Sequence, residues 1–139
     1  MRGRPWFAAV QPRGKPVGTW ALPKGLVEAG EPAAETALRE GFEETGVQAR
    51  LVSKLGDVRY MYTWEGERVF KVVSFYLAHA VGGRIGRLPP GMDVEVADAR
   101  WLPLADASQL LAYRGEREMA EMALAVLEPT ADRAGPDAV

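Results

Sequence analysis

The chain contains no cysteine, which removes a disulfide framework and a cysteine nucleophile from consideration. Its one histidine, His79, has no companion for a proton relay or a metal-ligand spacing, so a structural or solvent-exposed position is expected. Basic residues are not in excess: 17 Lys and Arg against 19 Asp and Glu give a net charge of -2 and a pI near 5.5. A nucleic-acid polymer is therefore not an expected partner, although a local positive pocket can still hold a phosphorylated metabolite. No apolar run approaches membrane-spanning length and no secretory hydrophobic stretch follows Met1, so no membrane partner is expected and the cytoplasm is the default location. With 139 residues, 47% of them hydrophobic, there is material for one compact domain over 1–128 and none for a second. Residues 129–139 are small and polar and read as a frayed tail.

What is present is acid in an unusual concentration. The run Arg39-Glu40-Gly41-Phe42-Glu43-Glu44-Thr45-Gly46-Val47 carries three glutamates at i, i+3 and i+4, which share one face of a helix. Ala34, Ala37, Leu38 and Phe42 lie largely on the other side and can face a core. Like charges at these spacings repel by a few tenths of a kcal/mol per pair, a cost that a hard divalent cation such as Mg²⁺ or Mn²⁺ removes by taking oxygen ligands. A solvent-facing acidic helix is the alternative. Gly41 falls within the apolar arc, where its missing side chain either leaves a gap or admits close packing, at about 1 kcal/mol relative to alanine.

Around this helix the pattern predicts an α/β chain. A strand is expected over Trp6 to Val10, a second extended stretch over Thr19 to Leu22, and the helix from about Pro32 to Thr45, closed by Gly46. Leu51 to Tyr62 and Arg68 to Ala80 read as paired strands about a turn at Glu65-Gly66, followed by a glycine- and proline-rich loop from Gly82 to Asp93. A short strand within Asp98 to Pro103, a short helix over Leu104 to Ala112 and a helix over Glu116 to Leu127 complete the order. Met119, Met122, Ala123 and Val126 are the expected core face of that last helix.

Gly25, Glu31, Arg39, Glu40, Glu43, Glu44 and Gly46, with Val47, match at fixed offsets a spaced signature, and through it the chain resembles the Nudix hydrolases. Gly41 departs from the pattern, standing where the family usually has a bulky hydrophobe. The resemblance implies an α/β/α sandwich around a curved mixed sheet, from Trp6 through the helix ending near Leu127. It also implies that the sheet is short of the family's usual first strand. Met1 to Pro5 is a poor replacement because Pro5 cannot donate a ladder hydrogen bond, and a homodimer is one way of covering the edge.

The same resemblance implies metal-dependent hydrolysis of a phosphoanhydride bond in a phosphorylated nucleotide, with Glu40, Glu43 and Glu44 as ligands of Mg²⁺ and the Gly25 carbonyl as a further donor. Glu31 and Arg39 are expected either to brace the loop against the helix or to form a surface pair. Trp20-Ala21-Leu22-Pro23-Lys24-Gly25 looks like the approach found in dinucleoside polyphosphate hydrolases, with Lys24 toward phosphate. Sanitation of modified nucleoside triphosphates, ADP-sugar cleavage and a non-catalytic nucleotide sensor are the other readings. Trp20, Tyr62 and Trp64 are candidates for a wall that stacks a base, and Lys71 is a second phosphate contact. Glu95 is the candidate general base at the end of the long loop, with Asp93 competing and Asp98 structural.

Overall fold

A computed structural model describes residues 4–25 and 27–127 of the protein. Strand β1 (Trp6–Pro12) pairs antiparallel with β4 (Val96–Pro103), and a long hairpin joins β2 (Val47–Trp64) to β3 (Glu67–Gly83). Helix α1 (Ala33–Thr45) precedes the hairpin; α2 (Ala107–Leu110) and α3 (Arg114–Leu127) follow β4. The α/β class expected from the sequence is present. The tail expected over 129–139 lies outside the described residues, and no helix among them is long and apolar enough to cross a membrane.

Pro32 caps α1 from an extended conformation at φ -65 and ψ 147 instead of entering its first turn, and its carbonyl accepts the Thr36 N–H at 3.0 Å. The helix ends where Gly46 turns left-handed at φ 83 and donates its N–H to the Phe42 carbonyl at 2.8 Å. A side chain at Gly46 would also collide with the backbone carbonyls of Arg84 and Arg87. Helix end and late loop therefore meet at a position only glycine fits.

Both hairpin strands run beyond the expected limits, to Val47 and Gly83, because cross-strand pairing holds segments whose local pattern is weak. Glu65 and Gly66 take positive φ of 50 and 80, the conformation of a two-residue turn that matches strand twist. Register shifts at Gln48/Ala49, Leu51/Ser53 and Lys54/Gly56 bend the ribbon; from Gly56 to Trp64 the ladder is regular. The expected Thr19 to Leu22 strand reduces to two isolated bridges, Val10 with Ala21 and Trp20 with Leu111. The expected Leu104 to Ala112 helix is a 3-10 turn, Leu104–Asp106, followed by the four residues of α2.

Among the described residues the strands form two pairs, β1 with β4 and β2 with β3. Between them lies an apolar cavity of about 760 Å³, lined by every residue from Arg4 to Ala8 and from Lys71 to Ala80. Side chains alternate across a strand, so a sheet face would contribute every second residue; an unbroken run means that the strand edges border the space. The buried apolar residues divide accordingly into three clusters, around Leu104 and Ala120, around Val10 and Val96, and around Val58 and Phe75. At the cavity wall the Trp6 indole N–H is buried without a hydrogen-bond partner among the described residues.

The inner face of α1 borders the same space. Ala34, Ala37, Leu38 and Phe42 are only half-buried, and the buried positions of the helix are Thr36 and Thr45. Of the two roles open to Gly41, the structure selects the gap: a Cβ there would meet nothing within 4 Å. Gly41→Ala should therefore raise stability by about 1 kcal/mol through helix propensity alone. Gly41→Leu should add roughly 1–2 kcal/mol more by putting apolar surface into the cavity. Chemical denaturation at fixed pH reads both; a loss of stability in either variant would show that the cavity does not persist beside α1 in solution.

Candidate functional site

The acidic face of α1 is organised by one cation. Arg39 Nε donates to Glu31 Oε2 at 2.8 Å and its Nη2 to Glu31 Oε1 at 3.0 Å, a two-pronged pairing that fixes the guanidinium plane. Its Nη1 reaches Glu40 Oε1 at 2.8 Å and Glu43 Oε1 at 3.1 Å, and Glu28 Oε1 lies 3.5 Å away. Arg39 first, then the Glu28 amide and the Thr36 hydroxyl, hold the Glu31 carboxyl down at about 2. Glu31 thus remains charged throughout the neutral range. Glu31 also accepts from the Glu28 N–H at 3.1 Å and the Thr36 hydroxyl at 2.8 Å, joining the loop to the helix.

The loop before α1 reaches the helix from above. Lys24 donates its backbone N–H to Glu44 Oε2 at 3.1 Å, and at Gly25 the Glu40 carboxyl occupies the space that a Cβ would take. Glycine is required here by close approach, not by an unusual dihedral angle. Burial, and then the hydrogen bond and negative charge of Glu40, push the Glu44 carboxyl up to about 8 against the opposing effect of Lys24. Two carboxyls forced together in a partly dry site are what a hard cation relieves, and the oxygens of Glu40, Glu43 and Glu44 have the chemistry to hold one. Among the described residues these side chains do not converge as a closed ligand set, since Arg39 draws Glu40 and Glu43 to itself. Holding a cation requires those two carboxylates to rotate away from Arg39.

The remaining candidates fall at different distances from this centre. Lys24 Nζ is not free above the acidic helix; it pairs at 2.8 Å with Glu116 Oε2 and lies 5.6 and 5.5 Å from the rings of Tyr60 and Tyr113. Lys71 Nζ lies 5.7 Å from the other partner of this cage, the Tyr60 ring. Tyr60, Tyr62 and Trp64 occupy one face of the regular part of β2, so Tyr62 and Trp64 stand roughly 7 and 13 Å further out than Tyr60. Both are exposed, at 46% and 65%. Trp20 instead packs on the Leu104 and Ala120 cluster, with Arg100 5.9 Å from its ring. Glu95 is exposed at the end of the 3-10 turn Met92–Val94, and this turn lies against α1. Its carbonyl accepts the Arg13 N–H at 2.9 Å.

Sequence reasoning missed Glu116 and Tyr113. Glu116 is fully buried, accepting from the Leu22 N–H at 2.7 Å and the Tyr60 hydroxyl at 2.6 Å while it pairs with Lys24. Burial, then Glu116, pushes the Tyr60 hydroxyl well above its ordinary value, so it stays protonated and donating. A signal existed: Glu116, Met119 and Ala123 are spaced i, i+3, i+7, on the face that is buried, whereas Met122 and Val126 are 45% and 50% exposed. His79 is exposed, as expected.

The raised Glu44 value has a definite sign. A carboxyl that titrates near 8 when folded and near 4.5 when unfolded binds more protons in the folded state, so its contribution is most favourable below 4.5 and is lost as pH rises toward 8. With divalent ions chelated, thermal stability should fall between pH 5 and 9, and Glu44→Gln should flatten that fall. A wild-type profile with no such slope would mean that Glu44 is not held next to Glu40 in this way.

Comparison with known proteins places this geometry. Residues 2–124 match the model of the NUDIX domain. The chain is 41% identical over 104 residues to the mutator protein MutT4 of Mycobacterium tuberculosis, covering 75% of this chain and 40% of that protein. It is 33% identical over 95 residues to the asymmetrical bis(5'-nucleosyl)-tetraphosphatase of mouse, covering 68% of this chain and 63% of the relative. The chain therefore spans about two fifths to three fifths of these relatives. In three dimensions it resembles the Ap4A hydrolase of C. elegans in its binary complex, with TM-score 0.68 and 24% identity, covering 93% of this chain and 90% of that one, a likeness of fold. A match across nearly the whole described chain, containing the acidic helix and its preceding glycine, establishes that this protein belongs to the NUDIX domain family.

Proposed function

We propose that the protein is a divalent-metal-dependent phosphoanhydride hydrolase acting on nucleotides, with dinucleoside polyphosphates as its leading substrates. The observation that carries this reading is the track leading away from the acidic helix. Lys71 lies 5.7 Å from the Tyr60 ring, and Tyr62 and Trp64 continue the same strand face toward the hairpin tip. A long polyphosphate needs cations beside its oxygens and a flat surface for the base some distance further on. The kinship with the mouse tetraphosphatase points the same way. Kinship with a mutator protein supports a second reading, sanitation of modified nucleoside triphosphates, on the same site.

In this reading Glu40, Glu43 and Glu44, with the Gly25 carbonyl, hold the cation. When bound, Mg²⁺, or Mn²⁺ in its place, neutralises phosphate oxygens and lowers the pKa of a coordinated water. Arg39, anchored by Glu31, takes up Glu40 and Glu43 when the cation is away, and Lys71 steadies the phosphate chain while the Lys24 ammonium stays with Glu116. Glu95 takes the proton of the attacking water from the loop that lies against α1. Positioning is the larger share of such a reaction, because little covalent chemistry falls to the protein.

Glu43→Gln should abolish nearly all turnover while circular dichroism stays unchanged, since glutamine keeps the shape and loses the charge needed by a hard cation. A folded variant with ordinary metal-dependent turnover would remove Glu43 from the site. Glu95→Gln should lower turnover about 100-fold with little change in metal affinity and should abolish one ionisation in the pH profile. Unchanged turnover and pH dependence would pass the role to Asp93 or to a helix glutamate. Product chromatography at fixed free Mg²⁺ separates the substrates. Preferential cleavage of dinucleoside polyphosphates is expected; monophosphate plus pyrophosphate from an oxidised triphosphate as the main activity would favour sanitation, and AMP plus ribose phosphate from ADP-ribose would favour ADP-sugar cleavage.

A further inference from the structure

Glu116 is the one charged side chain with no exposure at all among the described residues, and it comes from the far end of the sequence. A carboxylate out of water costs several kcal/mol unless its oxygens are fully engaged, and apolar residues of similar size commonly fill such a place at no loss of stability. Here both oxygens are engaged, and the partners converge on one short segment. Oε1 accepts the Leu22 N–H at 2.7 Å; Oε2 takes the Lys24 ammonium at 2.8 Å and the Tyr60 hydroxyl at 2.6 Å. Lys24 Nζ also donates to the Leu22 carbonyl at 3.1 Å, which closes the grip on Leu22-Pro23-Lys24.

That segment is the same one that touches the metal-site carboxylates. The Lys24 N–H meets Glu44, and Gly25 is packed against the Glu40 carboxyl. On the other side the clamp is stiff, because a Cβ at Gly115 would strike Val58, so α3 sits against β2 at the closest approach glycine allows. A continuous path therefore runs from α3 through Glu116 to the backbone of Lys24 and on to Glu44.

The geometry points to Glu116 as a positioning residue for the metal site: it sets the Leu22 to Gly25 segment, and through the Lys24 amide it sets Glu44. The inference rests on the proposal that the α1 glutamates hold a divalent cation. A purely structural Glu116 would stabilise the fold without affecting how tightly that cation is bound.

The test replaces the buried pair without changing net charge. In the double variant Lys24→Met with Glu116→Leu, stability should match or exceed that of the wild type, because an apolar pair stands where a desolvated ion pair stood. Mn²⁺ affinity, read by electron paramagnetic resonance without substrate, should nevertheless fall about tenfold or more, the usual scale when a group behind a ligand is lost. Electrostatics cannot cause this directly, since the paired ammonium and carboxylate are removed together and leave the net charge beside the site unchanged. Glu118→Gln, an exposed change on the same helix, should leave Mn²⁺ affinity as it is. A folded double variant with wild-type Mn²⁺ affinity would overturn the positioning role. If the double variant does not fold, Glu116→Gln decides the matter: amide exchange at Lys24 should quicken about tenfold and Mn²⁺ binding should weaken, and unchanged values for both would overturn it. Glu44→Gln keeps the two questions apart. If that variant binds Mn²⁺ normally the site assignment fails, whereas if it loses Mn²⁺ and the Glu116 variants do not, only the positioning role fails.

Discussion

Everything near the site answers to the crowding of carboxylates on one face of α1. Glu40, Glu43 and Glu44 share that face, Glu31 and Glu28 approach it from the loop, and each added negative charge makes the next one harder to keep ionised. The protein meets this with two cations placed differently. Arg39 stands among the carboxylates and bonds several at once, its planar guanidinium pairing with both oxygens of Glu31 as an ammonium's geometry does not. Lys24 stands above them, and its ammonium is drawn away to Glu116 while its amide is left facing Glu44. Burial, and then the hydrogen bond and charge of Glu40, make Glu44 the member of the group pushed up to about 8, with Lys24 offsetting only part of this. The place least compensated by the protein is the place where an added cation has most to gain.

The two counter-cations also divide the fold between them. Arg39 ties α1 to its own preceding loop, over a separation of eight residues to Glu31, so that contact forms locally. Lys24 ties the same loop to α3, more than ninety residues on, through a carboxylate that no water reaches. Local bracing sets the carboxylates relative to one another. The distant clamp sets them relative to β2, and hence relative to Tyr60, Lys71 and the outer aromatic residues. A substrate lying across both regions depends on the second contact as much as on the first.

These two contacts differ in how far the sequence discloses them. The Glu31 and Arg39 pairing was available through the family resemblance, because both residues belong to its spaced signature. Glu116 carried only a periodicity with Met119 and Ala123, and an acidic residue near a helix start is ordinarily read as solvated or as complementing the helix dipole. Its partners arise from tertiary packing that no local pattern states. Lys24 shows the same division: its position beside the signature was legible, but the direction of its side chain was decided by Glu116. Element types were legible from periodicity and turn residues, whereas strand lengths depended on cross-strand pairing, which carried β2 back to Val47 and β3 on to Gly83.

The cavity is the other feature that pattern alone does not disclose, and it bears on the site through α1. Sequence periodicity tells which side of a helix is apolar but not whether anything meets it, and Ala37, Leu38 and Gly41 face space bordered by the edges of β1 and β3. Protein interiors are packed as densely as organic crystals, so a space of this size leaves that side of the helix with fewer contacts among the described residues than normally fix a helix axis. The polar side of α1 must then supply more of its positional restraint than in a fully packed domain. Arg39 and Glu31 at one end, Lys24 and Glu116 above, and the Gly46 junction with the late loop provide it. The contacts that shape the chemistry of this helix are thus also the ones that keep it in place.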